Sequence, residues 1–166
     1  MADAYLESAL QSTATPAELR PFYEQFRELH SKKLWYQLTL LIDEFLRHPA
    51  SQQGTYQIDL YENFVRTFAK NINHLELASF GVIVSRQFSD AAKAYDFLHA
   101  LATEAEEKDW QDAYVLLSME AAHFQLLLGD VVATKTAMDK ASKVLDTFDS
   151  VEPVVHASFY RVSGNY

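Results

Sequence analysis

The 166-residue chain is 49 % hydrophobic and 22 % charged, carries a net charge of −9 and has no cysteine. That balance suits one compact domain or one run of repeats with enough apolar matter for a core, while the acidic excess disfavours nucleic acid, whose phosphates it would repel. Lack of cysteine excludes disulfides, thiolate nucleophiles and thiolate metal sites and suits a reducing compartment, and four Gly and four Pro are too few turn signals for a many-stranded all-β fold.

Residues 2–11 predict a short helix with Tyr5, Leu6, Ala9 and Leu10 on its apolar side. This acidic N-terminus has no long apolar run, so no secretory signal is visible. No segment reaches the about 20 uninterrupted apolar residues of a membrane span. Thr15-Pro16-Ala17-Glu18 has the pattern of a capping box. Pro21 removes a donor, so the main helix is expected from Pro21 to His30.

Ser31 is the expected cap of a helix over 32–47, where Leu34, Leu38, Leu41 and Phe45 follow helical spacing, with Trp35 and Ile42 widening the stripe. Pro49 ends it, and 48–54 reads as the longest polar loop. From Tyr56 a further helix sets Tyr61, Phe64, Val65, Phe68 and Ile72 on one face. Residues 74–88 are apolar all round, the signature of a helix covered on several sides. Val82, Ile83 and Val84 also suit a short strand, but helical neighbours and the absence of turn signals favour helix.

Ser89 or Asp90 caps the next helix, whose Ala91, Ala94, Tyr95, Leu98, Leu101, Ala102 and Ala105 form a face rich in small residues, its alanines letting helix axes approach closely. Asp109 is the expected cap of a helix carrying Trp110, Ala113, Tyr114, Leu117, Ala121, Phe124 and Leu128. Gly129 then suits a left-handed residue just past a helix end, and Asp130 an N-cap. A corner of about two residues makes the flanking helices antiparallel neighbours. Thr134, Met138, Ala141, Leu145 and Phe148 continue the pattern, and Pro153 opens a last helix.

The fold class expected is all-α, with antiparallel helix pairs stacked as a TPR/HEAT-like solenoid. The leading helices over 2–30 are less regular, and three pairs fill 32–149 at a period of roughly 35 to 40 residues. The alternative is a closed bundle, but eight or nine helices exceed one bundle layer. Val155, Phe159, Val162 and Tyr166 keep an apolar stripe to the last residue with no polar cap. That stripe predicts a polypeptide that continues, with these four residues packing onto the following part.

Chemistry is hard to find. There is no glycine-rich phosphate loop and no GxSxG elbow. His156 and Ser158 are near in sequence, which is not a triad. Glu120-Ala-Ala-His123 matches the Glu-x-x-His of di-iron bundles, and Asp96 with His99 is a looser copy. At about 100° per residue, Glu120 lies roughly 80° and His123 roughly 140° from the centre of their apolar stripe, so both read as solvated edge residues. Asp96 and His99 are also off their stripe. No catalytic, cofactor or metal residue is assigned. Glu104, Glu106 and Glu107 read as a solvated acidic helix end, or as a contact for a basic partner. Trp35, Leu38, Phe64, Leu117, Phe124 and Leu145 are the expected packing residues. Tyr36 and Tyr56, off the stripes, are interface candidates.

Four stretches in this order, KKLWYQLT (32–39), LYENFVRTF (60–68), LLLGDVVATK (126–135) and HASFYRVSGNY (156–166), together resemble the N-terminal half of a PCI-family non-ATPase subunit of the 26S proteasome lid. The first thirty residues match least. The resemblance implies a right-handed helical solenoid that leads, in the family, into a C-terminal PCI and winged-helix module not contained in these residues. It implies a non-catalytic scaffold in the cytoplasm and nucleus, with other lid PCI subunits and the neighbouring ubiquitin-receptor subunit as partners. Nucleic acid, membrane and small-molecule substrates are not expected. The lid's zinc-dependent deubiquitination belongs to a different subunit, and no matching ligand motif occurs here. Two alternatives from the residues alone are a helical-repeat adaptor that binds a peptide in its groove and a helical-bundle metal enzyme.

Overall fold

The computed structural model describes residues 1–147, and these are all-α. The helix expected from Pro153 and the stripe of Val155, Phe159, Val162 and Tyr166 lie outside the described residues. Two compact units form, the first Met1–Asn73 and the second beginning at His74.

In the first unit α1 (Ala2–Gln11) and α2 (Arg20–Ser31) pack together, and α2 packs on α3 (Trp35–Arg47). Pro21 sits in the first turn of α2, where its missing N–H costs nothing. The expected capping box does not form. Thr15 is buried, and its hydroxyl donates to the Ala9 carbonyl at 2.7 Å. The Arg20 guanidinium closes the end of α1 by donating to the Leu10 and Ser12 carbonyls at 2.7 and 2.6 Å. Ser31 is not a cap either. It is the last residue of α2, its hydroxyl turned back on the Glu28 carbonyl at 2.8 Å, and Leu34 holds the N-cap position of α3.

The core of this unit is aromatic. Phe26 meets Phe45 and Phe64 at ring separations of 5.6 and 5.5 Å, Phe64 meets Phe68 at 5.1 Å, and Trp35 stacks on Phe68 at 5.6 Å. These separations fall in the favourable range for edge and offset contacts. The demand for both Phe64 and Phe68 explains why one helix over 56–72 does not form. α4 (Tyr56–Asn63) ends at Phe64, and a 3-10 segment, Val65–Asn71, follows with a kink at Phe68. The break leaves Phe64, Val65 and Phe68 all fully buried. The expected polar loop over 48–54 is likewise structured. Pro49–Gln52 winds into a 3-10 turn, with Ser51 bonded to the His48 carbonyl at 2.8 Å and the Gln57 amide donating to the Leu46 carbonyl at 2.8 Å.

In the second unit α5 (His74–Ser85), α6 (Ala91–Glu107), α7 (Gln111–Leu127) and α8 (Val131–Thr147) follow one another. Each packs on the next, and α5 also packs on α7, the next-but-one contact of a stacked helical array. The apolar run over 82–84 lies within α5. Asp90 caps α6, its carboxylate accepting from the Ala92 amide at 2.9 Å. Ala94, Ala102 and Ala105 of α6 are buried beside α7, and their lack of bulk lets the axes come close. Because α7 is covered by α5, α6 and α8, residues 113–122 are buried without interruption.

Candidate functional site

Short corners join the helices of the second unit. Leu128 is the C-cap of α7, and Gly129 adopts φ 83°. The Gly129 amide donates to the Leu126 carbonyl and the Asp130 amide to the Gln125 carbonyl, both at 3.0 Å. These are the two bonds of a Schellman motif. The Asp130 carboxylate accepts from the Ala133 amide at 2.9 Å and so starts α8. The α6–α7 corner repeats the pattern with Asp109 at φ 58°, the Asp109 amide on Glu106 at 3.1 Å and the Trp110 amide on Ala105 at 2.9 Å. Asp109 therefore terminates α6 instead of capping α7, and Trp110 holds the N-cap position.

Around the Gly129–Asp130 corner, Leu127, Leu128, Val131 and Val132 are 64, 50, 49 and 78 % exposed. Periodicity assigned Leu128 to the core stripe; the helix ends there, and the residue is left half exposed. Of the other expected packing residues, Leu38, Phe64 and Leu117 are buried, while Trp35, Phe124 and Leu145 are half-buried. Tyr36 is 74 % exposed on α3, and Leu40 beside it 50 %. Tyr56 is half-buried and its hydroxyl donates to the Ala14 carbonyl at 3.2 Å.

The residues of the metal-like motifs do not converge. Glu120 is 3 % exposed, which corrects the expectation of a solvated edge residue. A single apolar stripe is the wrong description of a helix covered on three sides. Glu120 faces the end of α5, with an oxygen 3.8 Å from the Arg86 guanidinium. His123 is half-buried against Phe124, while Asp96 and His99 are exposed on α6. Among the described residues no group of three or more His, Asp or Glu side chains is arranged to hold a metal. The acidic end of α6 is bound up in ion pairs, Glu104 with Lys108 at 2.6 Å and Glu106 with Lys140 at 2.7 Å.

One concavity of the second unit was not anticipated. A groove of about 430 Å³ runs over α7 between α6 and α8. Ser118, Ala121 and Gln125 form its floor, Tyr95 and His99 one wall, and Ala137 part of the other. Lys140 closes one end, its ammonium on Glu106 and 5.3 Å above the Tyr114 ring. The signal for this floor was present as a row of small and polar residues at i, i+3 and i+7 within an otherwise apolar helix, but only the splay of α6 and α8 makes that row a groove.

A family model described as PSD13 N-terminal repeats matches residues 22–166. The chain is 34 % identical over 165 residues to 26S proteasome non-ATPase regulatory subunit 13 homolog A of Arabidopsis thaliana, covering 98 % of this chain and 42 % of that protein. It is 33 % identical over 156 residues to the probable 26S proteasome regulatory subunit rpn9 of Schizosaccharomyces pombe, covering 94 and 40 %. To the 26S proteasome regulatory subunit RPN9 of Saccharomyces cerevisiae it is 31 % identical over 170 residues, covering 96 and 42 %. The chain thus spans about two fifths of the length of these relatives.

Proposed function

This chain belongs to the PSD13 N-terminal-repeat family, and on that footing we propose that it is a non-catalytic structural scaffold of the proteasome regulatory particle lid. In this role it supports assembly, and thereby ubiquitin-dependent protein degradation, through protein–protein contacts. The observation that carries the reading is similarity along nearly the whole chain to relatives named as proteasome regulatory subunits, the Arabidopsis thaliana one as a non-ATPase subunit. The apolar tip of Leu127, Leu128, Val131 and Val132 supports it further, since exposed apolar side chains grouped at one corner suit a protein contact.

Within this reading 1–166 is one helical-repeat domain whose solenoid is right-handed. Val155, Phe159, Val162 and Tyr166 pack onto a following PCI and winged-helix module. Other lid PCI subunits and the ubiquitin-receptor subunit are the partners, in the cytoplasm and nucleus. Affinity capture of the tagged full-length protein, with mass spectrometry of what comes with it, tests the proposal. Recovery of lid subunits in constant proportion is expected; their absence would overturn it. A second reading, a peptide-binding adaptor of another complex, draws support from the groove over α7.

A further inference from the structure

We propose that the groove over α7 is a docking site for an extended segment of a partner protein, one that lays a small apolar side chain on the groove floor and sets a basic side chain at the Tyr95 end. The inference is independent of membership in the lid: it concerns what this surface recognises, whichever complex carries it.

The first observation is an unused polar group. Ser118 is 9 % exposed and lines the groove, and its hydroxyl makes no hydrogen bond among the described residues. The side-chain amide of Gln125, two turns on along the same face, is also without a hydrogen bond among the described residues. The hydroxyl opens onto the groove, so a polar group that enters can bond it in place of water. Ala121 lies between them, so the floor alternates a hydroxyl, a shallow apolar spot and an amide. Main-chain N–H and C=O groups of an extended peptide match such a floor, as they do in other grooves that recognise backbone.

The dimensions agree. From Tyr114 to Gln125 the helix advances roughly 16 Å at ~1.5 Å per residue, which is about five residues of extended chain at ~3.3 Å each. Small residues on the floor and on α8, Ala121 and Ala137 among them, leave the room for a side chain.

Charge sets the direction. At one end Lys140 and Glu106 neutralise each other at 2.7 Å. At the other, Tyr95 stacks on His99 at 5.4 Å, and burial together with the charges of Asp96 and Asp130 raises its hydroxyl pKa above the ordinary value. Both carboxylates are on exposed residues. An arginine or lysine arriving there meets two anions and an aromatic face. An acidic residue meets repulsion.

The test is a titration of the isotopically labelled chain, followed by amide NMR, with the blocked hexapeptide Ala-Leu-Ala-Ala-Arg-Ala and its counterpart bearing Glu in place of Arg. The expected result is movement of the Ser118, Ala121 and Gln125 signals by the Arg peptide, with weaker binding of the Glu peptide. Asp96→Lys should weaken the Arg peptide about two- to fivefold, the scale of an exposed ion pair. Ala137→Leu fills the groove from the half-buried side of α8 and should abolish the shifts while the rest of the spectrum is unchanged; Ser118→Leu does the same from the floor. No shift with either peptide, equal shifts with both, or shifts that survive both filling variants would overturn the proposal.

Discussion

The Asp130 amide reaches back five residues to the Gln125 carbonyl at 3.0 Å. The same bond joins Trp110 to Ala105 at 2.9 Å and Leu34 to Leu29 at 3.0 Å. Three helix ends thus close by one device, yet the residue in the left-handed conformation differs: Gly129, Asp109 and Lys33. Only the first is free of the steric cost of a Cβ in that region.

Opposite effects are therefore expected at two of these corners. A Cβ on Gly129 would meet nothing within 4 Å, so Gly129→Ala tests the backbone alone and should cost about 1 kcal/mol. Lys33→Gly should leave stability unchanged or raise it by up to about 1 kcal/mol, strain relief working against a freer unfolded chain. Denaturant midpoints of the two variants, measured together, check both signs; equal destabilisation would refute the corner argument.

Arg20 closes α1 through two carbonyls, at 2.7 and 2.6 Å. Arg20→Ala leaves both without that donor and should destabilise the chain by about 1–3 kcal/mol. Arg20→Lys restores the charge but not the two-pronged geometry, so it should recover only part of the loss. Urea titrations of the three proteins give the comparison.

Leu117 is 3 % exposed at the centre of α7. Leu117→Asp buries an unpaired charge, and a loss of about 3 kcal/mol or more is expected. A thermal melt by circular dichroism that matches the parent would show the packing of α7 to be misassigned.

Alkaline pH should weaken the first unit. Burial pushes the Tyr23 hydroxyl up to about 12, with the hydrogen bond from Tyr5 working against that shift and the charges of Tyr56 and Asp59 adding to it. Burial, together with Tyr23, also raises Tyr5. The unfolded chain ionises its tyrosines near 10, so between pH 10 and 12 it binds fewer protons than the native state. Stability is then fully present below pH 10 and falls as pH rises through that window. Urea midpoints at pH 8 and 11 should differ in that direction, and the difference should shrink in Tyr23→Phe.

Val132 is 78 % exposed at the apolar tip. Val132→Glu should change the melting temperature little, since surface substitutions shift stability within about 0.5 kcal/mol. Recovery of lid subunits with the full-length protein should fall if the tip is a contact. Unchanged recovery would remove the tip from the interface.

Local sequence determined the helices and several of their ends. Apolar spacing marked α3 and α6 to α8, an all-round apolar run without turn signals marked α5, Pro21 marked the first turn of α2, Asp90 the cap of α6, and Gly129 with Asp130 had the chemistry their corner uses. These are readable because capping, proline and left-handed conformations involve residues within a few positions of one another. The tertiary structure decided the rest. It broke the helix after Asn63 so that Phe64 and Phe68 both enter an aromatic core, because burying two large rings outweighs continuing a hydrogen-bond ladder. It put the left-handed conformation on Lys33, a residue with no preference that advertises it, and on Asp109, whose type tolerates that region but equally suits the N-cap expected there. It buried Glu120, since one helix covered by three others has no solvated edge. It also opened the groove over Ser118 and Gln125, because the separation of α6 and α8 is set by what packs beneath them, a distance that no spacing along one chain contains.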